Sequence, residues 1–248
     1  MKLVIFDCDG TLVDSQHMIC AAMHNAFTGH SLPVPARKTL LSVVGLSLHE
    51  CFERLGEGQA GFPVASLVEG YKSAFGELRL SGDHPEPLYP GAEDVIGALG
   101  ARSDILLGMA TGKSQNGARR VLEHNGWIGH FVTIQTADDA PSKPHPGMVL
   151  AAMREAGVGP ANTVVVGDTS YDIEMALVAG ATPIGVSWGY HPQAALRSAG
   201  AATVIEDFSA LVPELDRIWG ASSSFFPSPL AGAHSRQEGA ERSEAGEG

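Results

Sequence analysis

Six short apolar runs, at residues 3–6, 105–110, 131–134, 163–166, 183–186 and 203–205, limit what this chain can fold into more than any other feature. A short continuous apolar run bounded by turn residues is the pattern of a strand buried on both faces, as in a parallel sheet. Stretches with helical spacing alternate with the runs from residue 88 onward, so the expected fold class is α/β with a doubly wound parallel sheet. A chain of 248 residues, 44% hydrophobic, is long enough to bury one such core and a smaller second domain.

The alternation breaks early. Between Ser15 and Pro87 no run reads as a strand, whereas Met18, Ile19, Ala22, Met23, Ala26 and Phe27 recur at helical spacing. Leu48, Cys51, Phe52 and Leu55 do the same, as do Val64, Leu67, Val68, Tyr71, Ala74, Phe75 and Leu78. Residues 15–87 are therefore expected to form an all-helical insert, with residues 1–14 and 88–220 making the α/β core. Pro87, Pro90 and Gly91 punctuate the return to alternation. From residue 221 onward the composition turns to Ser, Gly, Ala, Glu and Arg, and a disordered tail is expected there.

Charge and cysteine usage exclude several function classes. With 16 basic against 28 acidic residues the formal net charge is -12, which argues against nucleic acid or an anionic membrane as partner. Cys8, Cys20 and Cys51 show no metal-ligand spacing, and an odd count suits a reducing compartment. The first apolar run is too short for a signal peptide and nothing approaches a membrane span, so a cytoplasmic location is expected.

The polar residues at the ends of the runs carry the chemistry. Asp7 and Asp9 stand one residue apart, so a strand leaving the sheet projects both to the same side while Cys8 points away. Two carboxylates facing one small volume repel, and a divalent cation relieves that repulsion; hard oxygen ligands suit Mg2+. A plain turn begun by Asp7 is the alternative. The second run ends at Thr111-Gly112 ahead of a helix, where a hydroxyl and free backbone N–H groups can receive an anion. Lys143 sits among Pro141, Pro144 and Pro146, which restrict where its ammonium can go. The fourth run ends at Asp168, with Asp172 one helical turn further. As an N-cap Asp168 needs no further role; as a metal ligand it completes what Asp7 and Asp9 begin. Ligands of open parallel sheets bind at the carboxyl ends of strands, where all four sites lie.

In order, "DCDGTLVDS", "ATGKS", "SKPHP" and "VVVGDTSYDIEMA" resemble the four motifs of the haloacid dehalogenase superfamily, in its phosphatase branch. The resemblance covers roughly residues 2–210. It implies a Rossmann-like core, and it likens the helical insert to that superfamily's small cap. "PLYPGA" and "VVGLSL" look most similar to phosphoglycolate phosphatase-like members. Gly112 departs from the commoner pattern, in which Asn follows the motif threonine.

The residues then imply hydrolysis of a small-molecule phosphate monoester through an aspartyl phosphate. Asp7 is the nucleophile, and Asp9 protonates the leaving oxygen and then takes a proton from water. Asp7 and Asp168 are expected to bind Mg2+ by side chains, Asp9 by its carbonyl oxygen as the resemblance implies, and Asp172 to stand behind them. Thr111, the Gly112 N–H and Lys143 are expected to hold the phosphoryl oxygens. Arg37, Val44, Gly45, Leu46 and Ser47 of the cap are candidates for choosing the alcohol. A phosphosugar mutase keeps every core residue named here. A phosphoaspartate receiver module also groups acids, a hydroxyl and a lysine, but has no helical insert. The ester and the oligomeric state stay open.

Overall fold

The computed structural model describes residues 1–221. Its sheet has six strands: β1 (Lys2–Phe6), β2 (Ile105–Thr111), β3 (Phe131–Thr136), β4 (Thr163–Gly167), β5 (Thr182–Val186) and β6 (Thr203–Ile205). They lie in the order β3-β2-β1-β4-β5-β6, and every pairing is parallel. The expected α/β, Rossmann-like fold is the one the chain adopts, and each apolar run lies within a strand of the sheet. The chain moves outward from β1 to β3 and then returns to β4, so strand order reverses beside β1.

Alternation along the strands makes two cores. Val4 and Phe6 of β1, Leu107 and Met109 of β2, and Val164 and Val166 of β4 face one side. There they meet Ile96 and Leu99 of α5 (Ala92–Gly100), Leu122 of α6 (Gln115–His124), and Leu215 and Trp219 of α10 (Leu211–Ala221). Leu3, Ile5 and Val165 face the other side. They pack on Met148, Val149 and Ala152 of α7 (Gly147–Ala156) and on Met175 and Ala176 of α8 (Ser170–Val178). A short α9 (Gln193–Ala199) closes the edge against β5 and β6. Each such apolar side chain contributes about 1.5–3 kcal/mol on burial, so β1 and β4, buried on both faces, are firm elements on which to mount a polar group. Helix α10 ends at Ala221, one residue into the segment read from composition as tail, because Leu211, Leu215 and Trp219 give it a core-facing stripe. The remaining residues of that expected tail lie outside the described residues.

Between β1 and α5 the chain forms α1 (Gln16–Gly29), α2 (Arg37–Leu41), α3 (Leu48–Leu55) and α4 (Val64–Ser81), with no strand among them. These helices share a core of their own, in which Met23, Phe27, Phe52 and Leu67 are buried. Phe27 stands 6.0 Å from Phe52 and 6.1 Å from Phe62, ring centre to ring centre. The same cluster takes in Tyr171 at the start of α8 and Tyr190 from the loop after β5, which joins the helices to the edge of the sheet. Among the described residues no helix is long and apolar enough to cross a membrane.

Candidate active site

Register brings the polar strand ends together. Phe6 pairs with Met109 on one side and Val166 on the other, so Asp7, Thr111 and Asp168 leave the sheet at a common edge, beside the reversal in strand order. The Asp7 N–H still donates to the Val166 carbonyl at 2.9 Å, which carries the strand geometry one residue further and fixes that carboxylate.

Three buried acids, Asp7, Asp168 and Asp172, offer oxygens that all lie within 4.8 Å of one another. Lys143, itself fully buried, bridges two of them: its Nζ is 2.8 Å from Asp7 Oδ1 and 2.7 Å from Asp172 Oδ1. Asp7 Oδ1 also accepts from the Cys8 N–H at 2.7 Å. Asp168 accepts from Thr11 Oγ1 at 2.9 Å and from the Tyr190 N–H at 2.8 Å. Gly10 makes room for it. A Cβ there would fall 2.2 Å from Asp168 Oδ2, and φ is +81°. The N-cap reading of Asp168 is corrected: Thr169 caps α8, in a reciprocal box with Asp172. Asp168 is thereby left free of helix capping, and the other oxygen of Asp172 is left for Lys143.

One oxygen of this cluster, Asp7 Oδ2, is buried without any hydrogen-bond partner. Burial pushes the Asp7 carboxyl up to about 7; the Lys143 ammonium opposes the shift, and Asp172 and Asp9 add to it. Asp168 is also raised well above the ordinary range, by burial first and then by Asp172 and Asp7. Burial pulls Lys143 downward, but Asp172 and Asp7 outweigh it and keep the ammonium charged. A single ammonium does not satisfy three buried acids. An all-oxygen donor set with one unpartnered carboxylate oxygen fits a hard divalent cation such as Mg2+.

Asp9 stands apart from the triad, held by Lys113. The Lys113 Nζ is 2.8 Å from Asp9 Oδ1 and 3.5 Å from Glu86 Oε1, and Ser15 Oγ donates to the same Asp9 oxygen. Asp7 and Asp9 both line a cavity of about 530 Å³, as do Thr111, Gly112, Gly45, Leu46 and Ser47. Thr111 is buried and its Oγ1 accepts from the Lys113 N–H at 3.2 Å, which leaves the hydroxyl proton to donate elsewhere. At Gly112 a Cβ would fall 2.6 Å from the Leu46 carbonyl and 2.8 Å from that of Gly45, so the 44–47 loop lies directly on this position. The loop is also held by Ser142, whose Oγ accepts from the Ser47 N–H at 2.7 Å.

A model of the haloacid dehalogenase-like hydrolase family matches residues 4–186, a span from the β1 acids to the end of β5. The chain belongs to the haloacid dehalogenase-like hydrolases. Within that family it stands with the phosphatases. It is 35% identical over 224 residues to the "Probable phosphatase IndB" of Dickeya dadantii, covering 90% of this chain and 96% of that protein. It is 31% identical over 220 residues to a "Phosphoglycolate phosphatase" of Rhodospirillum rubrum, covering 85% and 89%. The crystal structure of a hydrolase from Pseudomonas syringae superposes with a TM-score of 0.77 at 28% identity, covering 88% of this chain and 99% of that one.

Of the residues this hydrolase chain offers at sequence level, Asp7, Asp9, Thr111, Gly112, Lys143, Asp168 and Asp172 gather at the sheet edge, with Gly45, Leu46 and Ser47 over them. Arg37 does not join them. Its guanidinium donates to Gln16 Oε1 at 2.9 Å on an exposed surface and does not line the cavity, because α2 presents only Leu40 to the interior. Sequence reasoning missed Lys113, since a lysine in a strand-to-helix turn has the look of a surface residue. Its neighbour Ser114, which caps α6 through the Gly117 N–H, points the turn's polarity in two directions at once.

Proposed function

We propose that this chain is a Mg2+-dependent phosphatase of small-molecule phosphate monoesters that works through a phosphorylated Asp7. The observation that carries the reading is the unpartnered Asp7 Oδ2, in a side chain that is 1% exposed and lines the cavity shared with Asp9. A buried carboxylate oxygen with no partner is costly in a folded protein unless a ligand or ion takes it up.

The Asp7 carboxylate attacks phosphorus in line with the ester oxygen. The P–O bond to the alcohol breaks as Asp9 gives its proton to the leaving oxygen, and Asp9 then takes a proton from the water that attacks the phosphoaspartate. Inorganic phosphate leaves and Asp7 is restored. Lys143, the Thr111 hydroxyl and the Gly112 N–H donate to the phosphoryl oxygens, where charge is highest in the transition state. Asp7, Asp168 and the Asp9 carbonyl would hold Mg2+, and Asp172 steadies Lys143 behind them. When bound, the ion neutralises carboxylate and phosphate charge so that the two can approach.

Residues 15–87 act as a cap over the core of residues 1–14 and 88–220, and the Gly45–Leu46–Ser47 backbone closes the phosphate end. The anionic surface and the three free cysteines suit a cytoplasmic enzyme of small metabolites rather than of nucleic acid. The test is hydrolysis of 4-nitrophenyl phosphate by the purified chain with Mg2+, with chelator and with Asp7→Asn. The reading expects turnover only for the wild-type chain with Mg2+; undiminished turnover in chelator overturns the metal assignment.

A further inference from the structure

The cavity itself carries information about the alcohol. The 44–47 loop is seated on the core beside it: the Ser47 N–H donates to Ser142 Oγ, the Leu46 carbonyl lies against Gly112, and Lys113 stands 5.8 Å from the centre of the Phe75 ring on α4. In that docked state about 530 Å³ remain. Phosphoglycolate has roughly nine heavy atoms, and at no more than about 30 Å³ each, the share of a water molecule in the liquid, it fills about half of that space. Cavities of about 300–1,000 Å³ are those that enclose much larger ligands.

The walls are equally informative. Asp7, Asp9 and Thr111 mark the phosphate end, while Met23, Leu46, Val68, Tyr71 and Phe75 supply an apolar surface away from it. Most of the cations that line the space are already paired. Lys113 is paired with Asp9, Arg79 lies 3.5 Å from Glu86 and over the Phe75 ring, and Lys72 is 2.8 Å from Glu69. Lys143 is held below by Asp7 and Asp172. Among the described residues Arg120 is the cavity-lining cation without an ion pair, and it is exposed. A carboxylate one carbon from the ester oxygen would therefore sit largely against apolar wall, with the exposed Arg120 as its unpaired cation, which is unfavourable for a charge.

We infer that the substrate is a phosphate monoester of a bulky alcohol with a flat, apolar or aromatic body, and not of a two-carbon hydroxy acid. The inference rests on the phosphatase reading above and refines its substrate class. The body lies between α4 and the 44–47 loop, against the apolar side chains of Met23, Val68, Tyr71 and Phe75 that line the space. Bulk is read there through transition-state binding, because an alcohol anchored by its body is held for attack at phosphorus.

The experiment compares kcat/KM of the full chain, with Mg2+, for ethyl phosphate, 2-phenylethyl phosphate and phosphoglycolate, in the wild type and in Gly76→Trp. Ethyl and 2-phenylethyl phosphate share an alkyl leaving oxygen and differ in bulk. Gly76 lines the cavity from α4, and a Cβ there meets nothing within 4 Å, so the helix admits a large side chain beside the space. Burial of a phenyl group predicts a kcat/KM for 2-phenylethyl phosphate at least about tenfold above ethyl phosphate. It should exceed phosphoglycolate as well. Gly76→Trp should erase most of that preference while ethyl phosphate falls by a much smaller factor. The wild-type ratios stand as a test even where the variant does not fold. Preference for phosphoglycolate, or equal turnover of the two alkyl esters, overturns the inference and leaves the phosphatase reading in place. Hydrolysis of none of the three, nor of 4-nitrophenyl phosphate, overturns both.

Discussion

At the scale of single residues, the site is a problem in charge. Asp7, Asp168 and Asp172 crowd within 4.8 Å, and Lys143 compensates for part of their charge. Asp7→Asn keeps the shape, keeps Lys143 paired with Asp172, and removes one repelling carboxylate. It is expected to lower turnover about a thousandfold or more, as loss of a nucleophile does, without lowering Tm in metal-free buffer. Mg2+ should raise the wild-type Tm, with about 2.7 kcal/mol gained at a hundredfold excess over Kd, and this shift should shrink in Asp7→Asn. Calorimetry with and without Mg2+ reads both. Arg37→Ala, by contrast, should change kcat/KM by less than about twofold for any ester, because the guanidinium is bonded to Gln16 away from the cavity. Each acid alone also had a turn or cap reading; they were legible as a site because the polar ends of several strands fall at one edge of a parallel sheet. The place of Arg37 outside the cavity and of Lys113 beside Asp9 was not legible, because the direction of a long side chain depends on how its element packs, which spacing along the chain does not encode.

At the scale of elements, the parallel strands were legible and their caps were not. Runs such as residues 163–166 are apolar on both faces, and only a covered sheet accommodates that. The choice of Thr169 over Asp168 as the cap of α8 depends on the conformation of the turn, since Asp and Thr are both good caps. The loop over the phosphate end yields a test at this scale. Gly112→Asn restores the residue usual in the resembling motif, but its Cβ meets the Leu46 and Gly45 carbonyls at 2.6 and 2.8 Å. Unseating that loop should cost about 1–3 kcal/mol of stability, as overpacking does, and lower kcat/KM for all esters; denaturant melts and kinetics check it. A second test concerns the start of β2, where Asp104 takes Arg102 and Lys2 while Arg102 reaches Asp216 on α10. Hydrogen bonds from Arg102 hold the Asp104 carboxyl near 2, below its ordinary 3.8. A depressed carboxyl stabilises the fold above its unfolded value and loses that contribution as pH falls through the folded one. The Tm difference between wild type and Asp104→Asn should therefore be small, present above pH 4, and vanish as pH falls toward 2.

At the scale of the whole molecule, the division of labour follows from where the chain interrupts its alternation. The sheet gathers acids, hydroxyl and ammonium at one edge, and α1, α3, α4 and the 44–47 loop line a space with an apolar core of the helical insert behind it. This plan was visible in the sequence as a change of period from strand alternation to helical spacing and back. The size and wall of the cavity were not, since they depend on how two cores dock through Tyr171, Tyr190 and the 44–47 loop. The central claim is that phosphate passes through Asp7. The measurement that tests it most directly is acid quench during turnover of a phosphate monoester with Mg2+, followed by mass spectrometry of the peptide that contains Asp7. The account predicts a phosphoryl adduct on Asp7 that appears within the first turnover and is absent from Asp7→Asn. An adduct on another residue, or turnover at full rate with none, would contradict it.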